Sequence, residues 1–512
     1  MGLDLGRSDL TLGVVGAGQM GRGIAQIAAV AGIAVRLLDT KPGAAEAALS
    51  HIRQMVGRIA QKGRMRAADA DAAIARLRIV EAVADLAGCD VVVEAIVEDL
   101  AAKQALFRAL EAAVAEDCIL ATNTSSLSVT RIAAACAKPA RVAGYHFFNP
   151  VPLMKVVEVI GGARTDPVVL DALSALATRM GHRPVRVVDT PGFLVNHAGR
   201  GYGTEALRIL SEGVAEPIDI DRVMREAAGF PMGPFELMDF TGLDISLAAS
   251  ESIYRQFYDE PRFRPSPEIG RRVAAGLLGR KTGAGFYRYD ADGGRIVPAE
   301  NAPPPARSAH IWVSDADPDG ARRIRAALWT IPGLRLDRGG QPAKDALCLV
   351  APLGGDATTA AVEQGLDPAR TIAVDTLFDL NRRVTVMATP LTTPEMGELA
   401  VSVFAATGVH ATLIADSPGF IAQRILASVV NVACDIAQQR IASPADIDDA
   451  VRLGLGYPRG PLEGGDALGP RRVLTILENL LRITGDPRYR PSPWLRRRAL
   501  LGISLTAPDR AG

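Results

Sequence analysis

"GVVGAGQMGRGIAQIAAVAGIAVRLLD", residues 13–39, carries Gly16, Gly18 and Gly21 in the spacing G-x-G-x-x-G and closes on a carboxylate, Asp39. Thr11 to Val15 is short, apolar and partly β-branched, the pattern of a buried strand. Met20 to Ala31 lacks proline and is rich in alanine and isoleucine, which predicts a buried helix, with Gly32 to end it and Ile33 to Leu38 as a second strand. In such a unit the first glycine permits a tight turn, the second lets backbone approach a ligand, and the third lets helix pack on strand. Amides at the helix start then face a pyrophosphate, aided by the helix dipole. Gly16, Gly18, Gln19, Met20 and Gly21 are therefore the candidate phosphate cradle. Asp39 stands at the end of the second strand, where a carboxylate accepts hydrogen bonds from ribose hydroxyls and repels a 2′-phosphate. The expected cofactor is NAD rather than NADP. Without a ligand the same stretch reads as a plain glycine turn, but strand, glycines, helix, strand and acid in this order favour the cofactor.

The pattern continues outward. Asp90–Ala95, Ile119–Thr122 and Val142–Phe148 read as strands and Leu100–Ala115 as a helix, which predicts a mostly parallel sheet with helices on both faces. After Pro191 the apolar spacing turns helical, as in "TEALRILSEG". The segment "ENAPPPARSA" (300–309) reads as a linker. Beyond it the chain repeats itself. "DTPGF" at Asp189 returns as "DSPGF" at Asp416, and "PMGPFELMD" at Pro231 returns at the same offset as "PRGPLEGGD" at Pro458. "RPSP" at Arg264 returns at Arg490, at nearly that offset. Shared offsets indicate a duplicated helical domain. Residues 310–415 read as a decayed sheet domain. Asp315, Asp317 and Asp319 stand where the glycines would, and Asp375 stands where the first half has His146. The second half is expected to be non-catalytic, serving packing, dimer mimicry or shaping of the substrate site.

The expected fold class is thus an α/β Rossmann-type N-terminal domain followed by an all-α domain, then a degenerate Rossmann-like segment and a second copy of the all-α domain. The expected boundaries are 8–190, 191–290, a linker 291–309, 310–415 and 416–512. A chain of 512 residues accommodates several domains, and 57 basic against 57 acidic residues give no global charge for nucleic acid or an anionic membrane. No apolar stretch suits a membrane span and no signal peptide is visible, which predicts a cytoplasmic protein. The five scattered cysteines form no C-x-x-C and no metal pattern.

"GYHFFNPVPLMKVVEVI" (144–160) carries the candidate chemistry. Proline breaks the run between His146 and Glu158, and a reversal at position 152, midway, makes the two cross-strand neighbours. Glu158 lies among valines, where a carboxylate needs a partner. The pair reads either as a base with its orienting acid or as a core histidine satisfied by a structural carboxylate. Asn123, Ser125 and Ser126 follow a strand and read as site residues or as helix caps. Asn196 reads as a site residue or as a solvent-exposed polar group, and Lys281 as a surface lysine beside a glycine turn. His51, His182, His197, His310 and His410 stand without a nearby carboxylate pattern and read as structural or exposed.

Taken together, "GVVGAGQMGRGIAQ", "VVVEAIVEDLAAKQALF", "ATNTSSLSVT", "GYHFFNPVPLMKVVEVI", "DTPGFLVN", "GFPMGPFELMDFTGLD" and "RKTGAGFY" resemble the L-3-hydroxyacyl-CoA dehydrogenase family, in family order across residues 10–290. The duplicated helical domain resembles the bacterial subgroup of phenylacetate degradation, which oxidises 3-hydroxyadipyl-CoA. The resemblance implies an NAD-dependent oxidation of an L-3-hydroxyacyl-CoA. It implies His146 as base, Glu158 as its carboxylate, Ser125 on the substrate 3-oxygen and near the nicotinamide, and Asn196 as a substrate-site amide. It further implies Glu98, Lys103 and Asn123 along the NAD site, Lys281 as a cofactor-side contact, and no metal. The family pairs through its helical domain, so the chain is expected to be a homodimer or a monomer with an internal pseudo-dimer. Two rivals remain: a Rossmann dehydrogenase of free β-hydroxyacids, and a non-catalytic acyl-CoA-binding module.

Overall fold

Apolar runs such as Val91-Val92-Val93, buried on both faces, dictate a sheet sandwiched between helices. The computed structural model describes residues 7, 9–300, 309–329, 331, 333–337 and 339–509. The core of the expected linker, 301–308, and the outermost positions of the expected first and last domains, 8 and 510–512, lie outside the described residues. The first sheet contains β1 (Thr11–Val15), β2 (Ala34–Leu38), β3 (Leu77–Val80), β4 (Val91–Glu94), β5 (Ile119–Thr122), β6 (Val142–Phe147), β7 (Val156–Gly161) and β8 (Arg183–Val188). Their order is β3-β2-β1-β4-β5-β6-β7-β8, parallel except for the antiparallel pair β6–β7. The chain reverses direction of travel across the sheet between β1 and β4, the topological switch point at which open α/β sheets bind ligands.

The helix Gln19–Val30 buries Ile24, Ala25 and Ala28 in one core with Leu12, Val14, Val35 and Leu37. Several expected boundaries shift by a residue or two, the first helix running Gln19–Val30 rather than Met20–Ala31 and β4 Val91–Glu94 rather than Asp90–Ala95. The helix from Leu100 ends at Ala113 because Val114 turns extended, β2 begins at Ala34, and β6 stops at Phe147.

By compactness the chain divides into two units. The first comprises Met1–His197 and Gln439–Gly456, the second Ala198–Gln438 and Tyr457–Gly512. Residues 439–456 therefore leave their repeat and fold with the first sheet. The Val188 amide donates to the Ile441 carbonyl at 3.0 Å, Arg183 pairs with Asp446 and Asp449, and Gly454 of the helix Pro444–Leu455 lies against Val195 and Val156.

The second unit has a small hairpin, β9 (Arg288–Tyr289) and β10 (Arg295–Ile296). Its main sheet holds β11 (Ala309–Val313), β12 (Leu334–Asp337), β13 (Leu347–Val350), β14 (Thr371–Val374), β15 (Val384–Ala388) and β16 (Ala411–Ile414), ordered β12-β11-β13-β14-β15-β16. Its antiparallel pair, β14–β15, repeats β6–β7. Around it stand the helices of both copies, with proline starts at Pro234 and Pro461 that are repeat counterparts. The first helices of the copies, Arg200–Ser211 and Ala422–Gln438, cross at Gly201, where a Cβ would meet Ser428 and Val429 backbone at 3.0 Å. Gly201 and Ser428 are repeat counterparts too, so the crossing has pseudo-two-fold character. No helix among the described residues is long and apolar enough to cross a membrane.

Candidate active site

The glycine loop explains itself in part. Gly16 has φ +100° with Ala95 backbone 2.4 Å from where its Cβ would sit, and a Cβ on Gly21 would fall 1.7 Å from the Gly16 carbonyl oxygen. Both are required by the fold alone. Gly18 is different: its φ is −63° and nothing lies within 4 Å of its Cβ position. Its small size answers to no neighbour among the described residues, as expected where a ligand approaches backbone. The helix behind it has no side-chain cap and no acid in its first turn, which leaves its amide end open to an anion. Asp39 accepts from the amides of Ala17 at 2.6 Å and Lys41 at 2.8 Å, one per oxygen. A carboxylate offers about four lone-pair sites, so room for two hydroxyl donors remains. The residues present fit a dinucleotide.

At the C-terminal end of β6, His146 Nδ1 lies 2.5 Å from Glu158 Oε2 of β7, in direct register. Glu158 is completely buried, and its other oxygen accepts from the amides of Leu194 and Val195 at 2.9 and 2.8 Å. An ionised carboxylate only accepts, so Nδ1 carries a proton and, in the neutral ring, Nε2 is the nitrogen with the lone pair. Nε2 has no hydrogen-bond partner among the described residues. Phe148 and Phe193 flank the imidazole at 4.6 and 5.8 Å between ring centroids. Asn196 follows Val195 directly in the helix Val195–Ala198 and is half-buried rather than solvent-exposed, so the bland reading of it is corrected.

The loop after β5 is tied to both neighbours. Asn123 Oδ1 accepts from the Phe147 amide at 2.8 Å, which fixes the loop beside the histidine strand. Glu98 gathers its tip, accepting from Thr124 Oγ1 at 2.7 Å and from the amides of Ser125 and Ser126 at 2.8 and 2.9 Å. Burial alone would raise the Glu98 carboxyl, but the Thr124 hydroxyl, the Lys103 ammonium and these donors outweigh it and hold it below its ordinary value. The cap reading of Asn123, Ser125 and Ser126 is corrected: Ser128 caps the helix Val129–Ala133, and Asp189 reinforces it through the amides of Val129 and Thr130.

Lys103 is buried and pairs with Glu94 at 2.5 Å and Glu98 at 3.4 Å. Glu94, which no sequence motif singled out, is fully buried at the end of β4 and also accepts from the Ile96 amide and the Thr122 hydroxyl, both at 2.7 Å. The signal was available, since "VVVE" repeats the apolar-run-plus-acid pattern of "VVEV". Lys281, in the second unit, pairs with Asp244 at 2.6 Å. His310, read as lacking a carboxylate, lies 3.1 Å from Asp345, and His410 lies 3.4 Å from Glu300. Burial pushes the thiols of Cys89 and Cys136 up to about 11 and that of Cys118 up to about 12, away from the thiolate form.

Residues 11–190 match the family model of the 3-hydroxyacyl-CoA dehydrogenase NAD-binding domain, and residues 192–289 and 419–504 each match that of its C-terminal domain. The chain is 37% identical to a 3-hydroxyadipyl-CoA dehydrogenase of Escherichia coli (strain K12), over 96% of this chain and 98% of the relative. It is 45% identical to a probable 3-hydroxybutyryl-CoA dehydrogenase of Bacillus subtilis (strain 168), over 54% of this chain and 96% of that protein. Among solved structures, that of 3-hydroxybutyryl-CoA dehydrogenase from Escherichia coli K12 superposes with a TM-score of 0.83 at 37% identity, covering 96% of this chain and 98% of that one.

Proposed function

The chain belongs to the 3-hydroxyacyl-CoA dehydrogenase family, and from that premise we propose that it oxidises an L-3-hydroxyacyl-CoA to the 3-oxoacyl-CoA through His146, Glu158, Ser125 and Asn196. NAD, when bound, supplies the hydride acceptor. In this reading Gly16, Gly18, Gln19, Met20 and Gly21 hold its pyrophosphate, Asp39 its ribose, and Glu98, Lys103, Asn123 and Lys281 support the cofactor side. His146 Nε2 takes the proton of the substrate 3-hydroxyl. Glu158 keeps the imidazole in the accepting tautomer and offsets the charge that the ring acquires. Ser125 and Asn196 hold the 3-oxygen so that C3 faces the acceptor, and positioning of this kind lowers a barrier by several kcal/mol or more. The observation that carries the reading is the 2.5 Å His146–Glu158 contact, with Nε2 left bare.

Residues 8–190 would form the dinucleotide domain, 191–290 and 416–512 the paired helical copies, and 310–415 a sheet without cofactor, in a cytoplasmic enzyme. The full-length relative's name supports 3-hydroxyadipyl-CoA as substrate, and the half-length relative's name 3-hydroxybutyryl-CoA. NADH formation on a panel of CoA thioesters containing both, with free 3-hydroxybutyrate as the control, tests this. Turnover of the thioesters alone is expected; turnover of the free acid alone, or binding without any NADH, overturns it. For assembly we propose one chain with an internal pseudo-dimer, so light scattering should return the mass of one 53.9 kDa chain. Twice that mass refutes it.

A further inference from the structure

A cavity of about 650 Å3 lies wholly within the second unit, beside the C-terminal end of β14. That is within the roughly 300–1,000 Å3 of small-molecule sites, and at the strand end where open α/β sheets bind ligands. Its wall carries Arg323, Arg382, Arg459 and Arg472 against one acid, Asp379. Asp379 pairs with Arg323 at 3.0 Å, and Arg472 donates to the Thr376 carbonyl at 3.1 Å. Arg382 and Arg459 are exposed and make no hydrogen bond or ion pair among the described residues. Its floor is apolar and aromatic, with Phe230, Phe378, Leu426, Val430 and Tyr457.

The cavity opens beside the counterpart of the proposed reactive centre. Asp375 occupies the His146 position, Thr385 faces it where Glu158 faces His146, and Gln423 is the repeat counterpart of Asn196. Gln423 Nε2 donates to the buried Asp375 carboxylate at 2.9 Å. The pair is satisfied within the chain and holds no imidazole. The dinucleotide cradle is gone as well. Ser314 to Asp317 replace the glycine turn, Asp317 caps the helix Pro318–Leu328, and Asp315 pairs with Arg325 at 2.6 Å. What survives in the second half is an acyl-CoA-side cleft without a cofactor side, its excess charge positive and its floor able to stack a base.

Resting on the reading of His146 and Asn196 as substrate-facing, we propose that this cavity binds coenzyme A or a CoA thioester without turning it over. The phosphates meet Arg382 and Arg459, and the adenine or acyl arm lies on the aromatic floor. The shared chemistry is an adenosine pyrophosphate bearing a pantetheine arm. The test is equilibrium dialysis of the full-length protein against labelled CoA, with ADP as a competitor arm. Two CoA per chain are expected, falling to one in Arg382→Glu/Arg459→Glu, whose turnover of 3-hydroxyacyl-CoA stays unchanged. One CoA per chain in both proteins overturns the proposal, and so does two in both. Displacement by ADP as readily as by CoA assigns the site to nucleotide pyrophosphates instead and also overturns it. Absence of NADH from every thioester defeats the catalytic reading, and is read independently of the CoA count.

Discussion

Glu158 is a carboxylate with no access to water, and three donors compensate it: His146 Nδ1 and the amides of Leu194 and Val195. A buried charge is tolerated only when paired in this way. The arrangement leaves one nitrogen of His146 as the sole basic atom of the pair. His146→Ala is therefore expected to lower turnover about 10²- to 10⁴-fold while NAD affinity is largely kept, since the ring's hydrogen-bond and aromatic partners among the described residues are Glu158, Phe148 and Phe193 rather than cradle residues. Unchanged turnover removes the base assignment. Asp39 accepts two backbone bonds, one from Ala17 of the glycine loop and one from Lys41 just beyond β2, and keeps acceptor capacity beyond them. Asp39→Ala should weaken NAD binding and narrow the preference over NADP in a titration of both cofactors. Equal NAD affinity in the variant refutes the ribose role.

At the scale of the element, the two glycines of the turn that pack and the one that does not are separable by experiment. Gly21→Ala places a methyl group 1.7 Å from the Gly16 carbonyl oxygen, so the helix Gln19–Val30 must shift off β1. Both melting temperature and NAD affinity should fall. Gly18→Ala meets nothing within 4 Å. At this N-cap position it should change unfolding free energy by no more than about 1 kcal/mol, yet weaken NAD binding by about tenfold or more. Intact NAD affinity in Gly18→Ala would show that the cradle does not receive the pyrophosphate.

At the scale of the molecule, the second unit is organised around its pseudo-two-fold crossing, and a buried charge network lies there. Arg424, 1% exposed, meets Glu205 and Glu212 at 2.7 Å and Tyr489 at 3.0 Å, and Tyr489 in turn donates to Glu205 at 2.7 Å. Burial works against the Arg424 charge, but Glu205 and its other partners outweigh it and hold the guanidinium above its ordinary value. Arg424→Met leaves Glu205 buried with too few partners and should cost about 3–5 kcal/mol in urea unfolding. A loss below about 1 kcal/mol, the scale of an exposed pair, contradicts this account.

Features that depend on neighbours along the chain are readable before it folds. The glycine turn is legible because φ and close approach are local demands. The His146–Glu158 pairing is legible because strand period and a proline break fix register without reference to the rest of the molecule. The duplication is legible because two segments with one ancestry keep their spacing. The tertiary structure alone decided which amides anchor Glu158, the first of them 36 residues beyond it in sequence, and that Glu98 rather than a cap holds Ser125. It also decided that residues 439–456 leave their repeat for the first sheet, and that four arginines from distant segments share one cavity. These contacts follow from surfaces that meet only once the chain has closed, so no spacing along the sequence encodes them.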